Sequence, residues 1–349
     1  MNFASDNWTG ASPRIAEALS TAAGGYAPAY GGDPLTADVT AMLSRVFERD
    51  VAVFFVGTGT AANALALAHV ARPGGVVFCH RHAHIAADEA GAPEFLSGGS
   101  RLHGIAGGGG KITPADLGAA IALYPAEAVF HGQPSAVSIS QLTEAGTAYA
   151  ADEIATIAEV AHGAGLPLHM DGARFANAVV GLGASPADIT WRAGVDMLSF
   201  GGSKNGCFAA EAVIFFDPDK AKGFEFQRKR AGHLFSKSRF IAAQFAAYLD
   251  GDHWLDLATH ANGMAARLAA ALGSAASARL ALEPHGNEVF AYLSLDADQR
   301  LKSAGAFYYP WSAEGLGVAP AEEDEVLVRL VTSFRTSDEE IEQFAGLLD

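Results

Sequence analysis

The chain has 349 residues, 50% hydrophobic and 18% charged, with a formal net charge of −16. This is a globular composition long enough for two unequal cores, and its acidity argues against nucleic acid or an anionic membrane as the main partner. The two cysteines, Cys79 and Cys207, are too few for a disulfide framework and fit a reducing compartment, so the expected location is the cytoplasm.

Met1 to Asp6 has no basic region followed by an apolar one and predicts no signal peptide, and no apolar run approaches the ~18 residues of a membrane span. The first dozen residues are expected to pack back onto the larger unit. Val51–Val56 reads as a buried strand, followed by Gly57-Thr58-Gly59-Thr60 and a helix over Ala61–Val70. Short strands are predicted at Val76–Phe78 and Ala128–Phe130. Gly107–Gly110 is a flexible loop tip without the strand–turn–helix setting of a dinucleotide fingerprint.

Asp152–Ala164 is an amphipathic helix, with Ile154, Ile157, Ala158 and Ala161 at i, i+3, i+4, i+7, and Gly165 breaks it. Strands follow at Leu166–Met170, Asp196–Phe200 and Ala212–Phe216. Strands alternating with helices predict an α/β fold whose mainly parallel sheet is covered on both faces. Lys220–Leu272 is mostly helical, with Gly273 a natural stop. Strands at Asn287–Leu295 and Val326–Thr332 and a helix capped by Ser337 then suggest a smaller α+β unit. The expected boundary is near Leu249, giving units of 1–249 and 250–349.

Three stretches carry chemistry. Lys204 lies in Phe200-Gly201-Gly202-Ser203-Lys204-Asn205-Gly206, 33 residues after Asp171 in His169-Met170-Asp171-Gly172-Ala173-Arg174. A lysine in a turn of small residues can form a Schiff base, and an aspartate ending an apolar strand can keep a pyridinium nitrogen protonated. These are the two groups that pyridoxal phosphate requires most. Arg174, one helical turn beyond Asp171, offers a planar fork for a substrate carboxylate. Gly57–Asn63 joins a strand to a helix; its free N–H groups could bind a phosphate, or it is an ordinary turn with Thr58 or Thr60 as N-cap. Cys207 reads as a small buried residue rather than a nucleophile.

The segment His80-Arg81-His82-Ala83-His84-Ile85-Ala86-Ala87-Asp88-Glu89 invites a metal reading centred on His80, His82, His84 and Asp88, but no cluster at ligand spacing completes it. The alternative is an imidazole stacked on the cofactor ring, supplied by His84 or His82. His131, expected just after a strand, is a further candidate for the pocket.

Residues 169–178 (His-Met-Asp-Gly-Ala-Arg-Phe-Ala-Asn-Ala), 199–206 (Ser-Phe-Gly-Gly-Ser-Lys-Asn-Gly), 55–63 (Phe-Val-Gly-Thr-Gly-Thr-Ala-Ala-Asn) and 329–334 (Arg-Leu-Val-Thr-Ser-Phe) resemble the low-specificity L-threonine aldolases, in the β-eliminating lyase group of fold type I pyridoxal-phosphate enzymes. The resemblance runs from Ser5-Asp6-Asn7 nearly to the C-terminus. It implies the fold type I architecture and pyridoxal 5′-phosphate as cofactor. Lys204 would anchor the cofactor, Asp171 would meet its ring nitrogen, His84 would stack on it, and Gly59, Thr60 and Ser203 would join its binding. Ser5, Arg174 and Arg329 would bind the substrate carboxylate, with Arg335 a competitor for Arg329, and His131 would lie near the substrate hydroxyl. Lys237, in a segment that departs from the glycine-rich, methionine-containing version found in many members, would complete the phosphate site.

The implied reaction is retro-aldol cleavage of a β-hydroxy-α-amino acid to glycine and an aldehyde, with His84, His131 or a water as base. β-Elimination or transamination by the same lysine and aspartate, a metal protein built on the histidine segment, and an inactive scaffold are the competing readings. Small amino acids are the expected partners, together with further copies of the chain as a dimer of dimers with sites at the dimer interface.

Overall fold

The computed structural model describes all 349 residues. Strands β1 (Ala52–Val56), β2 (Gly75–His80), β3 (Arg101–Ile105), β4 (Gln133–Ser140), β5 (Leu168–Gly172), β6 (Met197–Gly201) and β7 (Glu211–Phe215) form one sheet in the order β1-β7-β6-β5-β4-β2-β3. Neighbours from β6 through β3 are parallel, whereas β7 runs antiparallel to both β6 and β1. A second, antiparallel sheet holds β8 (Ala278–Leu280), β9 (Glu288–Ser294), β10 (Tyr309–Pro310) and β11 (Glu325–Val331) in the order β10-β11-β9-β8.

This topology decides where chemistry can sit. Every strand of the large sheet except β7 ends at one edge, where open α/β sheets bind ligands. The reversed β7 begins there instead, so its first residue, Glu211, joins the carboxyl ends of the others. Parallel neighbours need crossovers, and helices provide them. The Gly59–Val70 helix is apolar all round, with Ala61 through Leu67 buried, and it packs against the sheet's centre. The Ala151–Gly163 helix buries Ile154, Ile157, Ala158 and Ala161, the face its spacing predicted.

The large core is centred on aromatic contacts, among them Phe47 edge-on to Phe200 at 6.1 Å and Phe200 edge-on to Trp254 at 5.8 Å. A separate core joins Leu268 and Leu272 of the His253–Ser274 helix to Val289, Leu293, Val328 and Leu330 of the second sheet and to Phe344. Ser337 caps the final helix through Glu340 N–H, with the Glu340 carboxylate returning to Ser337 N–H.

Three expectations are corrected. Ala128–Phe130 is a turn, closed by His131 N–H on the Ala128 carbonyl at 3.1 Å, with Val129 and Phe130 exposed. The strand lies a few residues on, at Gln133–Ser140, where Ser135, Ser138 and Ser140 interrupt the apolar residues. It is a central strand, and its buried Ser138 hydroxyl is satisfied by His169 Nδ1 at 2.9 Å. The first dozen residues divide between the units: Asn2 bridges to Phe307, Phe3 exchanges backbone bonds with Phe307 and Val331, and its ring is fully buried in the second core, whereas Asp6, Asn7 and Ser12 return to the larger unit at Arg174, the cavity wall and the Gly206 carbonyl. The helix expected to stop at Gly273 runs one residue further, to Ser274.

Phe3→Ala is expected to cost about 3–5 kcal/mol, because the emptied site is enclosed by Phe344 and the second sheet. The urea midpoint of the purified chain reads this. An unchanged midpoint would mean that the terminal segment is not part of that core.

Candidate active site

The carboxyl edge of the large sheet opens into a cavity of ≈ 280 Å³. Gly57–Thr60, Asp171, Ser203 and Lys204 all line it, so the aspartate and lysine 33 residues apart do meet. Gly201 and Gly202 explain how the lysine turn gets there: a Cβ at 201 would sit 2.7 Å from the Ala173 carbonyl and one at 202 would sit 2.9 Å from the Ala210 carbonyl. Only a bare backbone lets the β6 turn press against the Asp171 turn.

In the Gly57–Asn63 stretch the capping residue is Thr58 rather than Thr60. Its hydroxyl accepts Ala61 N–H at 3.1 Å and its carbonyl accepts Ala62 N–H at 3.1 Å. The N–H groups of Gly59 and Thr60 then have no intrahelical acceptor and stand at a helix N-terminus on the cavity wall, a ready anion site. A Cβ at Gly59 would meet no protein atom within 4 Å, so the missing side chain leaves room in the cavity rather than relieving a clash. His233 Nδ1 accepts Gly57 N–H at 3.5 Å, and the Phe235 ring covers the same glycine.

A continuous hydrogen-bond run holds the middle of the site. Asp171 accepts from Ala173 N–H at 3.0 Å and from Asn63 Nδ2 at 2.8 Å. Asn63 Nδ2 also donates to Glu89 at 2.8 Å, and the same Glu89 oxygen bonds His84 Nδ1 at 2.9 Å. The Glu89 bond is the main reason the His84 imidazole is held above its ordinary value, against the opposing effect of burial. Burial likewise raises Glu89, in spite of His84 and Asn63. Asn63 Oδ1 and Glu89 Oε2 are buried without a partner. Behind the sheet edge, His169 bonds Ser138 and Ser199 and is pushed down to about 4 by burial, so it stays neutral as a structural group.

Glu211, on the reversed strand, is a further buried carboxyl in the cavity wall. It accepts Ser203 N–H at 3.3 Å, and burial pushes it up to about 7 even beside the Lys204 charge.

Neither Arg174 nor Arg329 lines the cavity; Arg174 follows the lining residue Ala173, and Arg329 is joined to it through Glu288. Arg174 is 6% exposed and forms a fork on Asp6 through Nε at 2.8 Å and Nη2 at 3.1 Å, while its Nη1 stands 3.4 Å from Glu288. Arg329 Nη1 is 3.9 Å from the other Glu288 oxygen. Burial works to raise the Asp6 carboxyl, but the Arg174 and Lys204 charges and the bonds from Arg174 and Asn287 hold it below its ordinary range. The Asp6 field thus links this cluster to Lys204. Glu144, after β4, acts on His84, Arg174 and Glu288 alike.

Lys204, Asp171, His84, Gly59, Thr60 and Ser203 therefore meet in one cavity, while Arg174 and Arg329 meet at Glu288. The Ser5 hydroxyl accepts Asn7 N–H at 3.1 Å and sets the turn that brings Asn7 into the lining. His131 is not brought in: it is exposed, precedes β4 and so sits at the opposite, amino-terminal edge of the sheet, near Tyr124. Lys237 is exposed in the turn before the Arg239–Leu249 helix, outside the lining in a single chain. Arg335 donates to the Ala11 carbonyl at 3.1 Å, away from Glu288.

The histidine-rich segment divides. His80 bonds the Gly107 carbonyl and His82 N–H, while His84 turns to Glu89; nowhere do three His, Cys, Asp or Glu side chains gather as metal ligands. Sequence reasoning missed Asn63, Glu89, Asp6, Glu144, Glu211 and Glu288. The first three fall inside stretches that it had singled out; the others carry no local signal.

A family model described as "Beta-eliminating lyase" matches residues 2–296. Two relatives named "Low specificity L-threonine aldolase", from Pseudomonas aeruginosa and a Pseudomonas species, are 43% and 40% identical, each over 90% of this chain and 90% of its own length. Among solved structures, a threonine aldolase of Leishmania major superposes with a TM-score of 0.91 at 28% identity, covering 99% of this chain and 98% of that one. A serine palmitoyltransferase of Sphingomonas wittichii shares the fold, with a TM-score of 0.73 at 16% identity over 100% of this chain and 86% of its own.

The Glu211 carboxyl contributes a pH slope to stability. Its folded value of about 7 exceeds the ordinary 4.5, so its contribution is fully present below pH 4.5 and is lost as pH rises through 7. The amplitude is at most about 3 kcal/mol. Relative to wild type, Glu211→Gln should gain stability steadily between pH 4.5 and 8 in denaturant titrations of the cofactor-free chain. Parallel curves for the two proteins would contradict this.

Proposed function

From a chain that belongs to the beta-eliminating lyase family, and to the low-specificity L-threonine aldolases within it, we infer how its own residues divide the work. The enzyme is a pyridoxal-phosphate-dependent aldolase that cleaves L-threonine and related β-hydroxy-α-amino acids to glycine and an aldehyde. The observation that carries the assignment of roles is the meeting of Lys204, Asp171, His84 and the Gly59–Thr60 helix N-terminus in one cavity.

The residues present fit the cofactor. Gly59 leaves open space where the unpaired N–H groups stand, which suits a phosphate. Asp171 has one oxygen engaged by Asn63 and the other by Ala173 N–H, which fixes its carboxylate in the cavity wall, where it would accept a ring N–H. The unpartnered Asn63 Oδ1 and Glu89 Oε2 mark a polar site. Lys204 would anchor the cofactor covalently, Asp171 would hold its ring nitrogen protonated, His84 would lie against the ring, and Gly59, Thr60 and Ser203 would receive the phosphate. Bound there, pyridoxal phosphate supplies an electron sink for the pair left at Cα when the Cα–Cβ bond breaks.

The chain's own part is positioning and proton handling. Arg174 and Arg329, assisted by the turn that Ser5 begins, would hold the α-carboxylate and so set which bond at Cα faces the ring. His84 directs its Nδ1 proton to Glu89, leaving Nε2 as the acceptor for the β-hydroxyl proton. Glu89 and Glu144 favour the charged imidazolium that results. With His131 at the far edge of the sheet, His84 is the histidine in reach.

The division near Leu249 belongs to the same reading and is supported by the change of sheet beyond it, although Trp254 and Ala258 still pack in the large core and the second core starts at Met264 of the same helix. So does assembly as a dimer of dimers with sites at the dimer interface: Phe208 lines the cavity yet is 75% exposed, and Lys237 is free for a neighbouring copy. No helix is long and apolar enough to cross a membrane. The cytoplasm is supported by two buried, unpaired thiols; burial pushes Cys79 up to about 12 and also raises Cys207.

The purified protein should be yellow, with an absorption band that borohydride bleaches, leaving a reduced label on Lys204; Lys204→Ala should fold but lack the band and the activity. A folded Lys204→Ala with the wild-type spectrum and rate would end the assignment. His84→Ala should lower kcat by about 10²–10⁴-fold, read as acetaldehyde release from L-threonine, with the absorption band retained. A rate within twofold of wild type would remove His84 from proton transfer.

A further inference from the structure

The carboxylate-binding arginines already face a carboxylate. Glu288, on β9, is fully enclosed, and neither of its oxygens has a hydrogen-bond partner. Its charge partners stand at 3.4 Å (Arg174) and 3.9 Å (Arg329), one to each oxygen. The strand register explains the placement. Arg329 pairs with Phe290 across β9 and β11, so Glu288, two residues along, projects from the same face. The loop after β4 wedges it from the other side: a Cβ at Gly146 would meet the Glu288 Cβ at 3.1 Å.

Arg174 spends Nε and Nη2 on Asp6, so Nη1 is the donor that faces Glu288. The charged groups acting on Glu288 are Arg174, Arg329, Asp6 and Glu144. Two cations thus balance Asp6 and Glu288 before any substrate arrives, and Glu144 adds further negative charge.

We propose that Glu288 is a positioning residue and resident counter-ion: it holds Arg174 and Arg329 converged while weakening their grip on the α-carboxylate, so that glycine, which carries the same carboxylate as the substrate, is released. This rests on the assignment of Arg174 and Arg329 to the substrate carboxylate. Non-bonded distances suit the role. A tight fork would occupy the arginines, whereas a loose neighbour leaves donors for an arriving carboxylate and still discounts the local potential. Burial raises the Glu288 carboxyl against both arginines, so the discount titrates: it is absent when Glu288 is protonated and grows as it ionises.

The test uses the holoenzyme with acetate as a bare carboxylate competitor. Glu288→Gln should lower the acetate and glycine inhibition constants and the KM for L-threonine by about tenfold, with kcat equal or reduced. In wild type the acetate constant should rise with pH, and in Glu288→Gln this rise should flatten. A merely structural glutamate would instead give a higher KM and weaker acetate binding on substitution. Equal or weaker acetate binding in a folded Glu288→Gln overturns the proposal. Should that variant not fold, Glu288→Ala takes its place, and equal or weaker acetate binding there overturns the proposal. Acetate stabilisation of the cofactor-free chain against heat, stronger in Glu288→Gln, gives a readout independent of turnover. Arg329→Ala separates the two ideas. If it leaves acetate inhibition unchanged, the carboxylate assignment itself fails and the proposal with it. If it weakens acetate binding while Glu288→Gln changes nothing, only the proposal fails.

Discussion

The buried guanidinium of Arg174 is the constraint on which the arrangement turns. A charge that is 6% exposed is tolerable only when paired, and removing one partner of such a pair typically costs about 3–5 kcal/mol. Its partners come from distant parts of the chain: Asp6 from the terminal segment and Glu288 from the second sheet. Arg174 itself follows β5 of the first sheet. One side chain therefore ties both sheets and the N-terminal segment together at the site. Phe3, three residues before Asp6, anchors that segment in the second core and sets the position from which Asp6 can reach.

The cavity next to this junction separates its carboxylates by environment rather than by residue type. Asp171 is engaged by Asn63 and Ala173 N–H. Glu89, Glu211 and Glu288 are raised by burial, while Asp6 is lowered by its arginine. Burial and a paired cation thus push neighbouring carboxyls in opposite directions. The overall charge of −16 has little say, because helix N–H groups, the buried Arg174 and the partly buried Arg329 govern the local field.

Much of the large unit was legible in the chain. The Ala151–Gly163 helix and the strands that follow it announced themselves by periodicity, and the stretches around Gly59, Asp171 and Lys204 by residue type and spacing. β4 carries no uninterrupted apolar run to mark it: Ser135, Ser138 and Ser140 break it, and the buried Ser138 hydroxyl is satisfied by His169 on the neighbouring strand. His131 moves with the strand: the apolar triplet Ala128–Phe130 is a turn, so the histidine after it precedes β4 and stands at the amino-terminal edge. Glu211 was hidden for a different reason: its position at the active edge depends on β7 running backwards, which no local pattern encodes.

By itself the sequence determined the chemical inventory: a lysine in a turn that only small residues allow, an aspartate ending an apolar strand, a glycine-bearing helix start, and the alternation that requires a mainly parallel sheet. These are short-range properties, set by backbone sterics, burial periodicity and side-chain chemistry within a few residues. The tertiary structure alone decided which histidine faces the cavity, which carboxylates surround it and how the arginines are balanced. Those outcomes depend on distances between groups up to 282 residues apart, from Asp6 to Glu288, and on burial that exists only once the sheets have packed. Electrostatic influence follows separation in space, and separation in space is a property of the fold.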